Sequence, residues 1–174
     1  MNLSITPVTK QELTLLQEIG QSTFVTAFAA MNTPEDMDAY LKEKMNLAQI
    51  TKEWETPGSD FYFARFEEEI VGYLKLNTGA AQNEQLPESS LEVERIYITA
   101  PFQGKKLGQQ LLNFAIDKAQ KQGLNLVWLG VWERNEGAQR FYKRNGFVSF
   151  SKHDFYLGKD QQTDILMKLT IGDQ

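Results

Sequence analysis

A short segment near the middle of the chain combines glycines and lysines with the start of a helix. Residues 102–110 read FQGKKLGQQ, and an amphipathic pattern follows them. A helix N-terminus is a partial positive pole that favours acidic residues, yet Lys105 and Lys106 stand there. Gly104 and Gly108 allow close approach of the backbone to a ligand, and free N–H groups supply donors. The segment therefore predicts an anion site suited to phosphate, with a solvated, lysine-rich helix start as the alternative.

A second polar segment, VWERNEGAQRFYKRNGF, follows a nearly continuous apolar run. Asn135 is placed to cap a short helix, and Ala138 and Tyr142 are four residues apart on one face of it. A small residue and a phenol on one face could line a groove. A half-buried helix tyrosine with only a packing role is the alternative.

Two carboxylates alternate along the predicted strand LEVERIYIT. Glu92 and Glu94 share one strand face because side chains alternate, so either could take a proton from an ammonium group, directly or through water. The competing interpretation is a solvated or salt-bridged strand carboxylate beside Arg95.

Composition excludes several kinds of chemistry. The chain has no cysteine, which excludes disulfides, thiolate metal sites and a cysteine acyl-enzyme. The single histidine, His153, has no neighbouring histidine or cysteine and is predicted to be an exposed strand or loop residue, which argues against zinc and histidine triads. We expect no metal.

The charge balance and hydropathy bound the partners and the location. A net charge of −5 and a pI near 5.0 argue against a general nucleic-acid surface, because phosphate contacts need concentrated Lys and Arg. The first ten residues lack an apolar signal core, and no apolar run approaches the length of a membrane span. We expect a cytoplasmic protein with no membrane partner, in which residues 1–174 form one domain.

The order of elements predicts the fold class. Helices are expected from Thr9 to about residue 28, from Pro34 with Thr33 as its cap, over 47–54, and over 104–123. Strands are expected at 3–7, on either side of Glu67–Glu69, at LEVERIYIT, NLVWLGVW and GFVSF, and around DILMKLT. NLVWLGVW reads as a strand buried on both faces in a parallel pairing, so one βαβ unit is expected. The prediction is an α+β or mixed α/β fold.

The order ERIYI, FQGKKLG and RNEGAQRFYKRNGF resembles the Gcn5-related N-acetyltransferase (GNAT) superfamily over residues 61–150. The resemblance implies a central, mostly antiparallel twisted sheet with flanking helices, and acetyl-coenzyme A as cosubstrate. The family signature [QR]-x-x-G-x-[GA], which wraps the coenzyme pyrophosphate, matches residues 103–108. Lys106 stands where the first glycine of that signature is usual, so close backbone approach is less favoured there.

The resemblance also implies which residues contact the coenzyme. The pantetheine arm and acetyl carbonyl would meet the backbone of residues 96–98, and the pyrophosphate would meet residues 103–109. Asn135 would contact the coenzyme, and Tyr142 would lie near the sulfur. The complete set is Ile96, Tyr97, Ile98, Gln103, Gly104, Lys105, Lys106, Leu107, Gly108, Gln109, Asn135, Glu136, Ala138, Tyr142 and Lys143. Tyr142 would be the general acid for the departing thiolate.

Further segments, among them STFVTAF, NTPEDMDAYL and QTDILM, resemble the PaiA-type spermine/spermidine N-acetyltransferases within that superfamily. This likeness favours a polyamine acceptor. Phe24, Phe28, Glu35, Asp36 and Tyr40 could form an acidic, aromatic wall for a polycation. Helix capping and core packing explain the same residues equally well.

The expected reaction is direct attack of an amine on bound acetyl-coenzyme A in a ternary complex, because no cysteine is present to form an acetyl-enzyme. Glu94 is the favoured base, since it lies nearer the expected reaction centre than Glu92. Other acceptors remain open, namely a protein N-terminus, a lysine or another small amine. A coenzyme A-sensing regulatory or interaction protein with little activity is a further alternative, and the family resemblance makes a homodimer reasonable.

Overall fold

The computed structural model describes residues 2–172. Three of its five α-helices begin at residues whose side chains cap them. At the start of the second helix, Thr33 Oγ1 accepts the Asp36 N–H at 3.1 Å and Pro34 occupies the first turn. Asn46 Oδ1 caps the third helix by accepting the Gln49 N–H at 2.8 Å. The helices are α1 (Leu13–Phe28), α2 (Pro34–Lys44), α3 (Leu47–Glu55), α4 (Leu107–Lys121) and α5 (Glu136–Arg144).

Seven strands form one sheet in the order β1-β2-β3-β4-β5-β7-β6. They are β1 (Ser4–Pro7), β2 (Ser59–Phe66), β3 (Glu69–Thr78), β4 (Ser90–Ile98), β5 (Leu126–Trp132), β6 (Val148–Leu157) and β7 (Asp160–Thr170). Every neighbouring pair is antiparallel except β4 and β5, which are parallel and are joined through α4. The predicted mixed α/β fold with one βαβ unit is therefore confirmed.

The parallel pair β4 and β5 is joined for only three residues. Ser90, Leu91 and Glu92 pair with residues 126–128, and beyond Glu92 the two strands have no further paired residues. β4 nevertheless continues to Ile98 and β5 to Trp132. The two strands diverge, which leaves an opening in the middle of the sheet.

A β-bulge interrupts β4 just beyond the paired part. Lys75 of β3 pairs with Arg95 and Leu76 pairs with Val93, so Glu94 is the extra residue. Bulges re-aim side chains locally and increase the strand twist. Glu94 therefore departs from strict alternation at the point where β4 leaves β5.

The helices cover both faces of the sheet. Leu112, Ala115 and Ala119 of α4 pack with Val127 and other buried side chains of β5. On the opposite face, α1 and α3 pack against β2 and β3 through the buried residues Leu16, Ile50, Phe63 and Tyr73. Within residues 2–172, no helix has the length and apolarity needed to cross a bilayer.

Two boundaries differ from the sequence-based expectation. Helix α4 begins at Leu107 rather than Gly104, because Lys106 adopts a left-handed conformation (φ 62°) at the N-cap. The predicted strand at GFVSF is longer than expected and continues to Leu157, so His153 belongs to the β6–β7 hairpin. β7 follows β6 after the two-residue turn Gly158–Lys159, and pairing within this hairpin extends the strand.

Candidate active site

A cleft of about 960 Å³ occupies the opening between β4 and β5. Its lining comes from α1, α2, α3, α5 and strands β3 to β7, so the cleft depends on five of the seven strands. Among the lining residues are Phe24, Phe28, Tyr40, Glu92, Glu94, Ile96, Tyr97, Ile98, Gln103, Trp132, Asn135, Ala138, Tyr142 and Asp164. Most residues for which the sequence predicts a role therefore lie around one cavity.

The divergence exposes the backbone edge of β4 to the cleft. Thr99 N–H donates to Val71 O of β3 at 2.9 Å, which directs the peptide groups of alternate residues toward β3. The N–H and C=O groups of Ile96 and Ile98 consequently face the side that β5 has left. The carbonyl of Ile98 accepts Gln103 Nε2 at 3.0 Å, which ties the following loop to the end of the strand. This edge can pair with an extended ligand.

The loop before α4 is shaped to approach an anion. Gly104 (φ 77°) and Lys106 (φ 62°) both have left-handed backbones, and α4 has neither a side-chain N-cap nor an acidic residue in its first turn. A Cβ atom at Gly104 or Gly108 would meet nothing within 4 Å, so the surface is open there. The exposed Lys105 adds positive charge. Free N–H groups at a helix start, with lysines beside them, suit a phosphate group.

Helix α5 carries the predicted cap and phenol to the cleft. Asn135 Oδ1 accepts the Ala138 N–H at 3.0 Å, as the sequence predicted for the helix start. Tyr142 is buried, with its ring edge-on to Phe141 and Phe147. Burial raises the pKa of Tyr142 above its ordinary value, so its phenol stays protonated in the neutral range. A protonated phenol beside the cleft can donate a proton or a hydrogen bond.

Some of the residues implied for coenzyme contact lie outside the cleft lining. Glu136 and Lys143 are exposed on α5, and Leu107 is buried beneath the loop. Gln109 donates from Nε2 to Asn145 Oδ1 at 2.7 Å, which links α4 to the end of α5. These positions border the loop rather than the cavity.

The two strand carboxylates share a partner, Asn83. Its backbone N–H donates to Glu92 Oε1 at 2.9 Å, and its side-chain Nδ2 donates both to Glu92 Oε2 at 2.9 Å and to Glu94 Oε1. Asn77 Nδ2 also donates to Glu92 Oε1 at 3.0 Å. Burial raises the pKa of Glu92, although hydrogen bonds from Asn77 and Asn83 oppose the shift. Glu92 is therefore the more basic of the two carboxylates.

Glu94 belongs to an ion-pair network at the floor of the cleft. Its Oε2 contacts Lys75 Nζ and lies 3.7 Å from Arg95 Nε. Glu53 of α3 contacts the same two cations, Lys75 at 2.5 Å and Arg95 at 3.0 Å. Burial alone would raise the pKa of Glu94, but Arg95 and Lys75 together lower it. Glu94 is thus held as a carboxylate with both oxygens engaged.

The aromatic part of the predicted wall lies in the cleft. The Phe24 ring stacks on Tyr40 at 4.4 Å and on Phe28 at 4.5 Å, and Phe28 lies 5.1 Å from Trp132. The acidic part of the wall lies elsewhere. Glu35 is exposed in the first turn of α2 and does not line the cleft.

Asp36, the other carboxylate of the predicted wall, also lies outside the cleft. Its Oδ1 accepts the backbone N–H of Lys159 at 3.0 Å, in a separate hollow at the β6–β7 turn. Helix capping and turn contacts therefore explain Glu35 and Asp36.

Sequence reasoning missed three polar residues on the far side of the cleft. His153, expected to be an exposed residue, is half-buried between Asp164 (Nε2 to Oδ2, 3.7 Å) and Glu84 (Nδ1 to Oε1, 3.4 Å). Burial raises the pKa of Asp164 to about 6, and His153 opposes the shift. The pairing of β6 with β7 brings His153 and Asp164 together, and Glu84 reaches the His153 ring from the loop before β4. The polar residues within the strand segments SKHDF and QTDIL were the sequence feature that could have indicated a functional role for them.

These features match a known family over most of the chain. The profile of the acetyltransferase (GNAT) family matches residues 24–147. The chain belongs to the acetyltransferase (GNAT) family. This GNAT protein is an N-acetyltransferase that uses acetyl-coenzyme A as cosubstrate. Residues 2–172 contain no cluster of three or more histidine, cysteine, aspartate or glutamate side chains that could hold a metal ion.

Individual relatives of this GNAT enzyme cover nearly its whole length. It is 43% identical over 169 residues to an uncharacterised N-acetyltransferase of Lactobacillus delbrueckii subsp. lactis, covering 97% of this chain and 98% of the relative. A spermidine N(1)-acetyltransferase of Thermoplasma acidophilum is 24% identical over 151 residues, covering 84% and 89%. The crystal structure of PaiA N-acetyltransferase from Thermoplasma acidophilum in complex with coenzyme A superposes with a TM-score of 0.76 at 21% identity, covering 98% and 100%.

Proposed function

We propose that this enzyme transfers an acetyl group from acetyl-coenzyme A to a primary amine of a polyamine such as spermidine or spermine. The supporting observation is the composition of the cleft, in which aromatic rings stand beside carboxylates. The carboxylates of Glu92 and Asp164 are largely buried without a full ion pair. Such a surface favours a cationic, partly aliphatic ligand.

A relative of known activity supports the same acceptor class. The spermidine acetyltransferase of Thermoplasma acidophilum is similar to this chain over most of its length. Arg95, the most buried cation of the cleft lining, is neutralised by Glu53 and Glu94 and so does not repel an ammonium group. Lys44, another cation of the cleft lining, is exposed to solvent, which screens its charge.

The donor site of the proposal consists of the β4 edge and the loop before α4. The backbone groups of Ile96 and Ile98 would pair with the extended arm of the coenzyme, and the N–H groups of residues 105–109 would hold its pyrophosphate. Lys105 and Lys106 would add charge to that contact. Bound acetyl-coenzyme A supplies an activated acyl carbon whose bond to sulfur breaks as the amine attacks.

Four groups of the chain would serve the transfer. Glu92 accepts the proton that the acceptor ammonium must lose, directly or through water, because it is the more basic carboxylate. Glu94, tied to Lys75 and Arg95, positions Asn83 and hence Glu92. A backbone N–H of residues 96–98 polarises the acetyl carbonyl, and Tyr142 gives its proton to the departing thiolate.

The proposal is tested by measuring the release of free coenzyme A from acetyl-coenzyme A with a panel of amines. We expect turnover with spermidine and spermine, and less with simple monoamines. Calorimetric titration with coenzyme A alone separates donor binding from turnover. Binding without turnover on any amine would contradict the polyamine assignment and favour a protein N-terminus, a protein lysine or a sensing role.

A further inference from the structure

Asp164 is a carboxylate of the cleft that lacks a strong partner. It stands opposite Trp132 of β5 and His153 of β6, and 24% of its side chain is exposed. The His153 Nε2 atom lies 3.7 Å away, beyond hydrogen-bond length. Among residues 2–172, no hydrogen-bond donor reaches the Asp164 carboxylate. The group has lost much of its water without gaining a replacement.

The neighbouring charges do not complete a pair with Asp164. Glu84 lies closer to the His153 ring than Asp164 does, at 3.4 Å from Nδ1, and so competes for any charge on the ring. Arg134 lies over the Trp132 ring, 5.8 Å from its centre, and is exposed. A cation from outside the chain can therefore complete the environment of Asp164.

A missing side chain makes room beside this carboxylate. Gly130 is the only exposed residue of β5, and a Cβ atom there would lie 3.3 Å from Asp164 Oδ2. Trp128 and Trp132 flank Gly130 on the same strand face, because side chains two residues apart point the same way. The result is a bay with an aromatic wall on each side and one carboxylate, and aromatic faces attract cations.

Strand register places the bay level with the expected reaction centre. Glu92 is paired with Trp128, and because Glu94 is the extra residue of the bulge, Tyr97 and Trp132 are level four strand rises further along. Asp164, the partner of Trp132, therefore lies across the opening from Tyr97. β5 forms one edge of the opening, and β7 is its paired neighbour, one interstrand spacing of roughly 5 Å away. A short aliphatic chain can bridge from the opening to the bay.

We propose that Asp164 binds a second ammonium group of the acceptor in the Gly130 bay and thereby selects diamines and longer polyamines over monoamines. This inference rests on the proposed function, because it concerns the acceptor of the same cleft. Asp164 takes no part in proton transfer. It determines which amine is held with its reacting nitrogen at the opening.

The test compares putrescine with n-butylamine, which have the same carbon chain and differ in the second amine. In Asp164→Asn, we expect kcat/KM for putrescine and spermidine to fall about tenfold or more, mainly through KM, because the ammonium loses its charged partner. The value for n-butylamine should stay within about twofold. Asp154→Asn is the matched control, since it removes the same charge from the same hairpin. Both Asp154 carboxylate oxygens already accept hydrogen bonds, from Gln161 and Thr163.

A second variant tests the bay without changing charge. In Gly130→Ala, the added methyl group narrows the space beside Asp164, so KM for putrescine should rise while the affinity for coenzyme A, measured by calorimetry, stays unchanged. If both Asp variants lower the putrescine value equally, the effect is general electrostatics and the inference is wrong. It is also wrong if Asp164→Asn and Gly130→Ala leave the preference for putrescine over n-butylamine intact.

The same assay separates this inference from the proposed function. Coenzyme A release that does not respond to any polyamine refutes the proposed polyamine activity itself. If coenzyme A is released with polyamines at a rate that the Asp164 substitution does not change, only the proposed role of Asp164 in binding a second ammonium group is refuted.

Discussion

Glu92 lies opposite Trp128 in the last paired position of β4 and β5, where the sheet begins to open. The carboxylate is therefore fixed by continuous sheet on one side and borders the cleft on the other. Asn77 and Asn83 hold it from the neighbouring strand and loop. The proposed base is therefore held in a fixed position beside the cleft.

Replacing Glu92 by Gln should lower kcat about 10²-fold at neutral pH, where the acceptor amine is protonated and needs a base. Because burial raises the pKa of Glu92, activity of the wild-type enzyme should fall as pH drops through that raised value. The variant should recover part of its activity at high pH, where neutral amine is abundant. Steady-state pH profiles check this, with the exposed Glu88→Gln as control. An unchanged profile would remove Glu92 as the base.

Tyr142→Phe should slow acetyl transfer by about 10² while leaving coenzyme A affinity within roughly twofold, since only the proton donor is lost. Because burial raises the pKa of Tyr142, its phenol remains protonated beyond the ordinary tyrosine range. The wild-type rate should therefore show no alkaline decline from Tyr142 below pH of about 10. Single-turnover kinetics and calorimetry measure the two quantities. A loss of coenzyme affinity equal to the loss of rate would indicate a binding role instead.

Lys106→Gly should stabilise the fold by about 1 kcal/mol, because Lys106 adopts a left-handed backbone that glycine tolerates without strain. The same substitution removes a positive charge near the proposed phosphate site, so coenzyme A should bind several-fold more weakly. Chemical denaturation and calorimetry report the two effects. Lys105→Gly is the matched control, since Lys105 does not have a positive φ and should gain no stability. Equal stabilisation by both variants would contradict the strain argument.

Asp164→Asn should stabilise the unliganded protein at neutral pH. The pKa of Asp164 is raised from 3.8 to about 6, so its ionisation opposes folding once pH rises through that window. The full effect at pH 7 is about 2 to 3 kcal/mol, at 1.36 kcal/mol per pKa unit. The difference between wild type and variant should shrink toward pH 4. Thermal unfolding at the two pH values measures it, and a pH-independent difference would contradict the assignment to ionisation.

Local signals in the sequence predicted most elements of this fold. The Thr33 and Pro34 helix start, the hairpin around Glu67 and the buried parallel strand β5 all follow from capping, turn and hydropathy patterns. The insertion of β7 between β5 and β6 does not, because it depends on pairing between distant segments. The contact between His153 and Asp164 depends on the register of the β6–β7 hairpin, which the sequence analysis did not predict.

The candidate site likewise contains residues that local sequence patterns predicted and residues whose properties depend on contacts between segments. Asn135 and Tyr142 lie within one continuous motif, so their place beside the cleft could be predicted. The lowered pKa of Glu94 could not, because one of the cations that lower it, Lys75, reaches it from the neighbouring strand β3. The bulge at Glu94 is likewise a property of the paired strands.

The opening between β4 and β5 also bears on how long the protein survives. The peptide groups of Ile96 and Ile98 face a gap where β5 would otherwise pair, and a bound coenzyme arm would complete that row of hydrogen bonds much as a missing strand would. A ligand present at a hundred times its dissociation constant adds about 2.7 kcal/mol to the stability of the folded state. The resistance of this enzyme to heat and to proteolysis should therefore follow the supply of its own acetyl donor.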